Sequence, residues 1–223
     1  MIPFAGVIRK GIFMAYIWIN PVTAGMYEKE VLDGFLHQHG YQQLQTKTDW
    51  IKIVKEKYFE VIKESKCTVI AMRCPKAVEL AKDLGNKRKF TFPEIHPILI
   101  HCSKEISTNL VSEKKEIIIT TPCQALADMG NAMRLKNTEF IPWNRFLERF
   151  EEIPKGAEPK ISPIPPGFFA SLPVKTVSLS GEEEIQNFFR NEKSEDVQLV
   201  EMLYCKNGCH NGDGIRCAIF DRI

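Results

Sequence analysis

Short apolar runs alternate along the chain with segments whose apolar residues recur every three to four positions. The run at 12–19, Ile-Phe-Met-Ala-Tyr-Ile-Trp-Ile, is rich in β-branched and aromatic residues and ends at Asn20-Pro21, which predicts a buried strand. Helical periodicity follows over 26–39 until Gly40, with a short strand at 41–45. Thr46-Lys-Thr-Asp49 resembles a capping box opening a helix to 65. Residues 66–72 read as a compact apolar strand, and Pro75 suits the first turn of a helix to 84. The pattern then repeats: a core strand at 116–121, a helix at 124–135, a strand at 139–141 and a helix at 143–152. A connection over 153–173 holds Pro154, Pro159, Pro163, Pro165, Pro166 and Pro173. After it come a strand at 174–179, a helix to 191 opened by Ser180-Gly-Glu-Glu183, and a last strand at 197–203.

Strands alternating with helices predict an α/β fold with parallel sheets. The polar stretch 107–115 divides the chain into an N-terminal α/β lobe, 1–110, and a C-terminal one, 111–223. Two such lobes would flank a cleft.

At 223 residues the chain is long enough to bury a sizeable core. Its 44% apolar and 26% charged residues are those of an ordinary soluble protein, and a net charge of +2 offers no argument for nucleic acid or a membrane surface. The apolar run at 12–19 is too short to span a bilayer. The basic run Lys87-Arg88-Lys89 reads as a solvated loop, with a phosphate patch as the sharper alternative. Seven cysteines, an odd number, with no signal peptide suit a reducing cytoplasm and metal ligands plus bystanders better than a disulfide framework.

The cysteines carry the candidate chemistry. In the tail, Cys205-Lys-Asn-Gly208-Cys209-His-Asn-Gly212-Asp-Gly214 sets two thiols four residues apart among three glycines. This arrangement lets both sulfurs turn toward one point, and the glycines would let backbone N–H groups approach bridging sulfides. Cys74 and Cys123 each follow a strand and precede a helix, where helix-end amides stabilise an anionic thiolate or cluster. Four thiolates from three places would complete a [4Fe–4S] site. A four-cysteine zinc site is the rival, although single cysteines spread over two lobes are unlike paired zinc knuckles. Cys67 and Cys217 read as core residues, and Cys102, beside His101, as a bystander, a nucleophile or an extra ligand. His210 would tune the cluster or face solvent. Arg73 would balance the cluster's charge, bind an anion or lie on the surface.

These motifs resemble those of the iron-only ([FeFe]) hydrogenase catalytic domain, which forms the C-terminal part of that enzyme's large chain, and of its non-hydrogenase relatives among nuclear prelamin-A recognition-factor-like proteins. The family's Glu-x-Met-x-Cys-x-x-Gly-Cys-x-x-Gly-x-Gly pattern is nearly complete, with Glu201, Cys205, Gly208, Cys209, Gly212 and Gly214 in register. Its other two cysteine motifs survive as Cys74-Pro75 and Pro122-Cys123. Weaker echoes are Phe92-Pro93-Glu94 with Pro97-Ile-Leu, Pro166-Gly167 with Ser180-Gly181, and the early strand ending near Ala24.

The resemblance implies two α/β lobes around a [4Fe–4S] cluster ligated by Cys74, Cys123, Cys205 and Cys209. In active members the last cysteine also bridges to a diiron unit bearing CO and cyanide. Two positions depart from that pattern: Arg73 stands where active members carry a proton-passing cysteine, and Leu126 where a lysine holds a cyanide. Leucine forfeits a charge-assisted hydrogen bond of about 1.5–3 kcal/mol, and arginine is a poor proton shuttle. The expectation is therefore electron transfer or redox sensing with little or no H₂ turnover. A divergent hydrogenase with the full diiron cofactor is the alternative, and a cluster carrier or assembly factor the second. The chain has no ferredoxin-like cysteine module, so a ferredoxin or other redox protein would be its partner, with iron–sulfur or hydrogenase maturation proteins to load it.

Overall fold

The computed structural model describes residues 15–85, 89–110, 112, 114–157, 159, 161–191 and 196–215. The chain runs through β1 (Ala15–Trp18), α1 (Pro21–Ala24), α2 (Lys29–Gln38), β2 (Tyr41–Gln43), α3 (Trp50–Glu64) and β3 (Thr68–Ile70). It continues through α4 (Pro75–Leu84), β4 (Phe90–Thr91), α5 (Ile98–Asn109), β5 (Glu116–Thr121), α6 (Gln124–Ala132), β6 (Thr138–Pro142) and α7 (Trp143–Leu147). Then come β7 (Thr176–Ser180), α8 (Glu182–Arg190), β8 (Leu199–Leu203) and a 3-10 turn at Cys209–Asn211.

The strands form two four-stranded sheets, ordered β2-β1-β5-β6 and β4-β3-β8-β7. Every pairing is parallel. Parallel neighbours need crossovers, which the helices supply. The inner strands β3 and β8 are buried throughout and β5 at all but its first residue, while the edge strands β2 and β7 are half-buried. A parallel strand covered on both faces must be apolar on both, which is why the inner strands stand out as continuous apolar runs. Successive residues feed opposite faces: Ile118 packs with Ile17, Leu36 and Trp143, whereas Ile117 and Ile119 pack with Ile100, Ala127 and Phe140. The second sheet does the same, Val200 and Met202 on one face and Leu199 on the other.

The α/β fold with two parallel-sheet lobes is as expected, but the lobes do not divide near residue 110. Each sheet takes two strands from before that point and two from after it. The first lobe is built from β1, β2, β5 and β6, the second from β3, β4, β7 and β8, so the chain passes between lobes repeatedly.

Local differences have local causes. α3 is capped by Asp49, whose side chain accepts from the Lys52 N–H at 3.0 Å, and not by Thr46. α5 had no counterpart among the elements expected from periodicity. Its buried residues include His101, Ser103 and Ser107, which blur the apolar period. α1 and β4 are too short to leave a periodic trace, and α7 stops at Leu147 rather than 152. Residues 161–173 cross the molecule without helix or strand. No helix among the described residues is long and apolar enough to cross a membrane. The strand residues expected at 12–14, and Lys87, Arg88 and Cys217, lie outside the described residues.

Candidate metal centre

Cys74, Cys123 and Cys205 all lie just beyond the carboxyl ends of inner strands: β3, β5 and β8 respectively. β3 and β8 are the central pair of their sheet, with β4 on one side and β7 on the other. The chain leaves β3 for α4 and β4, whereas after β8 it enters the turn at Cys209–Asn211. Cys74 is the N-cap of α4 and Cys123 the N-cap of α6; both have extended backbones and neither fills the cap with its side chain. Both thiols thus sit where helix-end N–H groups favour negative charge. α4 and α6 pack against each other, which brings the two lobes' cysteines together. Cys209 opens the 3-10 turn that follows Cys205.

All four cysteines line one small cavity, together with Arg73, Pro122, Leu126, Tyr204 and Gly212. Its open space is about 20 Å³. That is room for roughly one water. Among the described residues no three His, Cys, Asp or Glu side chains lie close enough to share a single metal ion. The thiols border a common space rather than a common point. The Tyr204 N–H donates to Cys74 Sγ at 3.5 Å.

The thiols also feel one another. Loss of water pushes the Cys123 thiol up to about 12; the Leu126 backbone N–H partly offsets this, and Cys209, Cys74 and Asp213 add to it. Cys209 is likewise pushed up to about 12, first by burial and then by Cys74 and Cys205, with Arg73 acting in the opposite direction. Both are protonated at neutral pH in the metal-free protein. A cation bound among them would displace those protons.

The tail glycines have a different reason from the one expected. Their N–H groups are committed to protein carbonyls: Gly208 to Cys205 at 3.2 Å, Gly212 to Cys209 at 3.0 Å and Gly214 to Pro122 at 3.1 Å. Gly208 is required by its φ of +121°, and Gly212 and Gly214 by close approach of the tail to the Pro122-Cys123 turn. A Cβ at 212 would stand 2.3 Å from the Pro122 carbonyl oxygen, and one at 214 would stand 2.9 Å from the Cys123 nitrogen. Both obstacles are backbone, so relief means separating Cys209 from Cys123. Gly212→Ala should therefore lower stability by about 2–4 kcal/mol in urea unfolding, whereas Gly34→Ala, where nothing lies within 4 Å, should not.

Arg73 is not a surface arginine. Its side chain is 11% exposed and meets Glu201, itself 2% exposed, at 3.1 Å. It also donates to the Ile164 carbonyl at 2.9 Å and the Pro165 carbonyl at 3.4 Å, and its guanidinium stacks over Phe168 at 5.1 Å. The other carboxylate oxygen of Glu201 accepts from the Gly167 N–H. One buried pair thus pins the proline-rich segment to β8 and to the residue before Cys74.

Leu126 borders the thiol cavity and, on its other side, a larger one of about 300 Å³ that also reaches Cys209 and Arg73. Both positions at which the chain departs from the hydrogenase pattern therefore fall on the wall of this second cavity.

The remaining candidates separate clearly. Cys102 is buried on α5 and burial pushes its thiol up to about 11, so it is a poor nucleophile at neutral pH. It lines the larger cavity and not the thiol site. Cys67 is half-buried ahead of β3, its N–H donating to Ser65 Oγ at 3.1 Å, rather than a core residue. His210 is half-buried beside Cys209, and its Nδ1 is buried with no hydrogen-bond partner. His101 stacks on Trp50 at 4.8 Å, and burial lowers it to about 4.

Two contributors act in ways that the sequence reading did not give. Asp213 accepts the Gln124 N–H at 2.9 Å, capping α6 in place of Cys123, while its backbone carbonyl accepts from Asn144. Glu201 belonged to the tail motif, but only its pairing with Arg73 reveals its role. Compared with protein-family models and with curated proteins, the chain matches none.

Proposed function

We propose that this protein binds a [4Fe–4S] cluster through Cys74, Cys123, Cys205 and Cys209 and uses it for electron transfer or redox sensing, with little or no H₂ turnover. The observation that carries this reading is four thiols, from three separate turns, lining one cavity at the carboxyl ends of inner strands. The donor chemistry fits: four soft thiols, two of them at helix N-termini, with a buried unpartnered His210 nitrogen next to the last of them. The space, about 20 Å³, is tight, and a cluster would require the cysteine side chains to turn outward. A bound cubane supplies one-electron redox chemistry.

The chain's own residues would do the rest. Helix-end amides and the Tyr204 N–H would stabilise thiolates, and Arg73, partly neutralised by Glu201, would offset some of the cluster's charge. Apolar Leu126 and ion-paired Arg73 leave the far side of Cys209 without the donors a cyanide-bearing diiron unit would use, which favours the cubane-only reading over a divergent hydrogenase. A cluster carrier uses the same ligands. With its cysteines only half-buried, the site would lie near the surface, within reach of a ferredoxin or other redox partner and of maturation proteins. Cysteines that form no disulfide among the described residues suit a reducing cytoplasm.

The test is anaerobic purification with iron, sulfide and zinc measured per chain, and an infrared spectrum of the same sample. About four irons and four sulfides without CO or cyanide bands is the expected result. Near six irons with those bands would make the chain a hydrogenase, and zinc alone would make the site structural.

A further inference from the structure

The larger cavity, about 300 Å³, lies where the two lobes meet and is not used by the thiol site. Its volume is at the small end of the range for small-molecule sites, and such sites are mostly apolar with a few polar groups that set orientation. Here the walls are aromatic: Trp18 from β1, Trp50 and Tyr58 from α3, and Phe168 and Phe169 from the proline-rich segment. The charged side chains lining it are Arg73 and Asp49, and both are already engaged. Arg73 is held by Glu201 and two carbonyls, and Asp49 by the Lys52 N–H. An anionic guest would therefore meet only an Arg73 already paired with Glu201 and the like charge of Asp49, and would enter at the full cost of its lost hydration.

His96 is a group available to orient a guest. It lines the cavity, makes no hydrogen bond to the described residues, and burial lowers its pKa below the ordinary histidine value, so at neutral pH it is an uncharged donor and acceptor.

We infer that this cavity is a binding site for a neutral, largely aromatic small molecule of one or two rings, carrying a single hydrogen-bonding group. The walls are protein side chains alone, so the site exists whether or not a cluster is bound. Where the cluster reading holds, Cys209 in the shared wall sets the guest beside the metal centre.

The test is calorimetric titration of 2-naphthol at pH 7, with 2-naphthoate as the anionic counterpart of the same shape, on iron-loaded and on chelator-treated protein. Saturable one-to-one binding of 2-naphthol is expected, with naphthoate at least roughly tenfold weaker. Ile51, half-exposed on the cavity wall, provides a variant: Ile51→Trp should weaken 2-naphthol binding roughly tenfold, whereas Val31→Trp, exposed on α2, should not. Absence of saturable binding, or equal binding of naphthol and naphthoate, overturns the inference without recourse to any variant. Naphthol binding by a chain that takes up no iron on anaerobic reconstitution would overturn the cluster reading and leave this one standing; iron uptake without naphthol binding would do the reverse.

Discussion

Cys209→Ser and Cys205→Ser should each yield protein that no longer retains iron and sulfide, while Cys67→Ser should hold the wild-type content. A serine hydroxyl is a hard, weakly acidic donor where a cluster iron takes a thiolate. Cys205 and Cys209 line the thiol cavity, whereas Cys67 lies before β3 and does not. Cys74→Ser and Cys123→Ser should behave like the tail variants, since their thiols stand at the N-termini of α4 and α6 on the same space. Iron and acid-labile sulfide per chain, after anaerobic reconstitution, measure this directly. Equal retention in the Cys67, Cys205 and Cys209 variants would remove the ligand assignment, whatever the fold.

Arg73→Met is expected to be the most destabilising change outside the core. It leaves the Glu201 carboxylate buried with only the Gly167 N–H for company. Removing one partner of a buried ion pair costs about 3–5 kcal/mol, because the charge that remains has neither water nor a counter-ion. In a domain of this size that corresponds to a fall of roughly 6–20 °C in Tm. Glu201→Gln should cost less, since an amide oxygen can still accept from Gly167 and no charge is stranded. The double change Arg73→Met with Glu201→Leu should recover part of the loss. Urea unfolding of the four proteins gives the comparison, and a double variant less stable than Arg73→Met would show that the pair holds more than charge. Limited proteolysis should cut residues 161–173 faster in Arg73→Met, because the carbonyls of Ile164 and Pro165 lose their donor.

How much of this was legible follows from the range of the forces involved. β5 matches its expected bounds and β3 and β8 fall within two residues of theirs at either end, since a parallel strand buried on both faces is apolar at every position. The turns carrying Cys74 and Cys123 were legible because a strand, a cysteine and a helix start lie within a few residues of one another. α5 was not, since three of its buried residues are polar: Ser103 bonds back to the Ile100 carbonyl within the helix, His101 stacks on Trp50, and Ser107 is the third. The tail glycines were visible as a pattern, but their purpose was not. Clearance from the Pro122 carbonyl is a contact across some ninety residues of chain.

The sequence by itself determined the alternation of strands and helices, the α/β class and the placing of three cysteines at strand ends, because periodicity, capping and turn chemistry act over a few residues. Only the tertiary structure decided that each sheet joins strands from both halves of the chain. It also decided that Arg73 is spent on Glu201 and that four separate thiols border one space. Those depend on which surfaces meet when apolar faces are buried, and nothing local to any one segment encodes its neighbour.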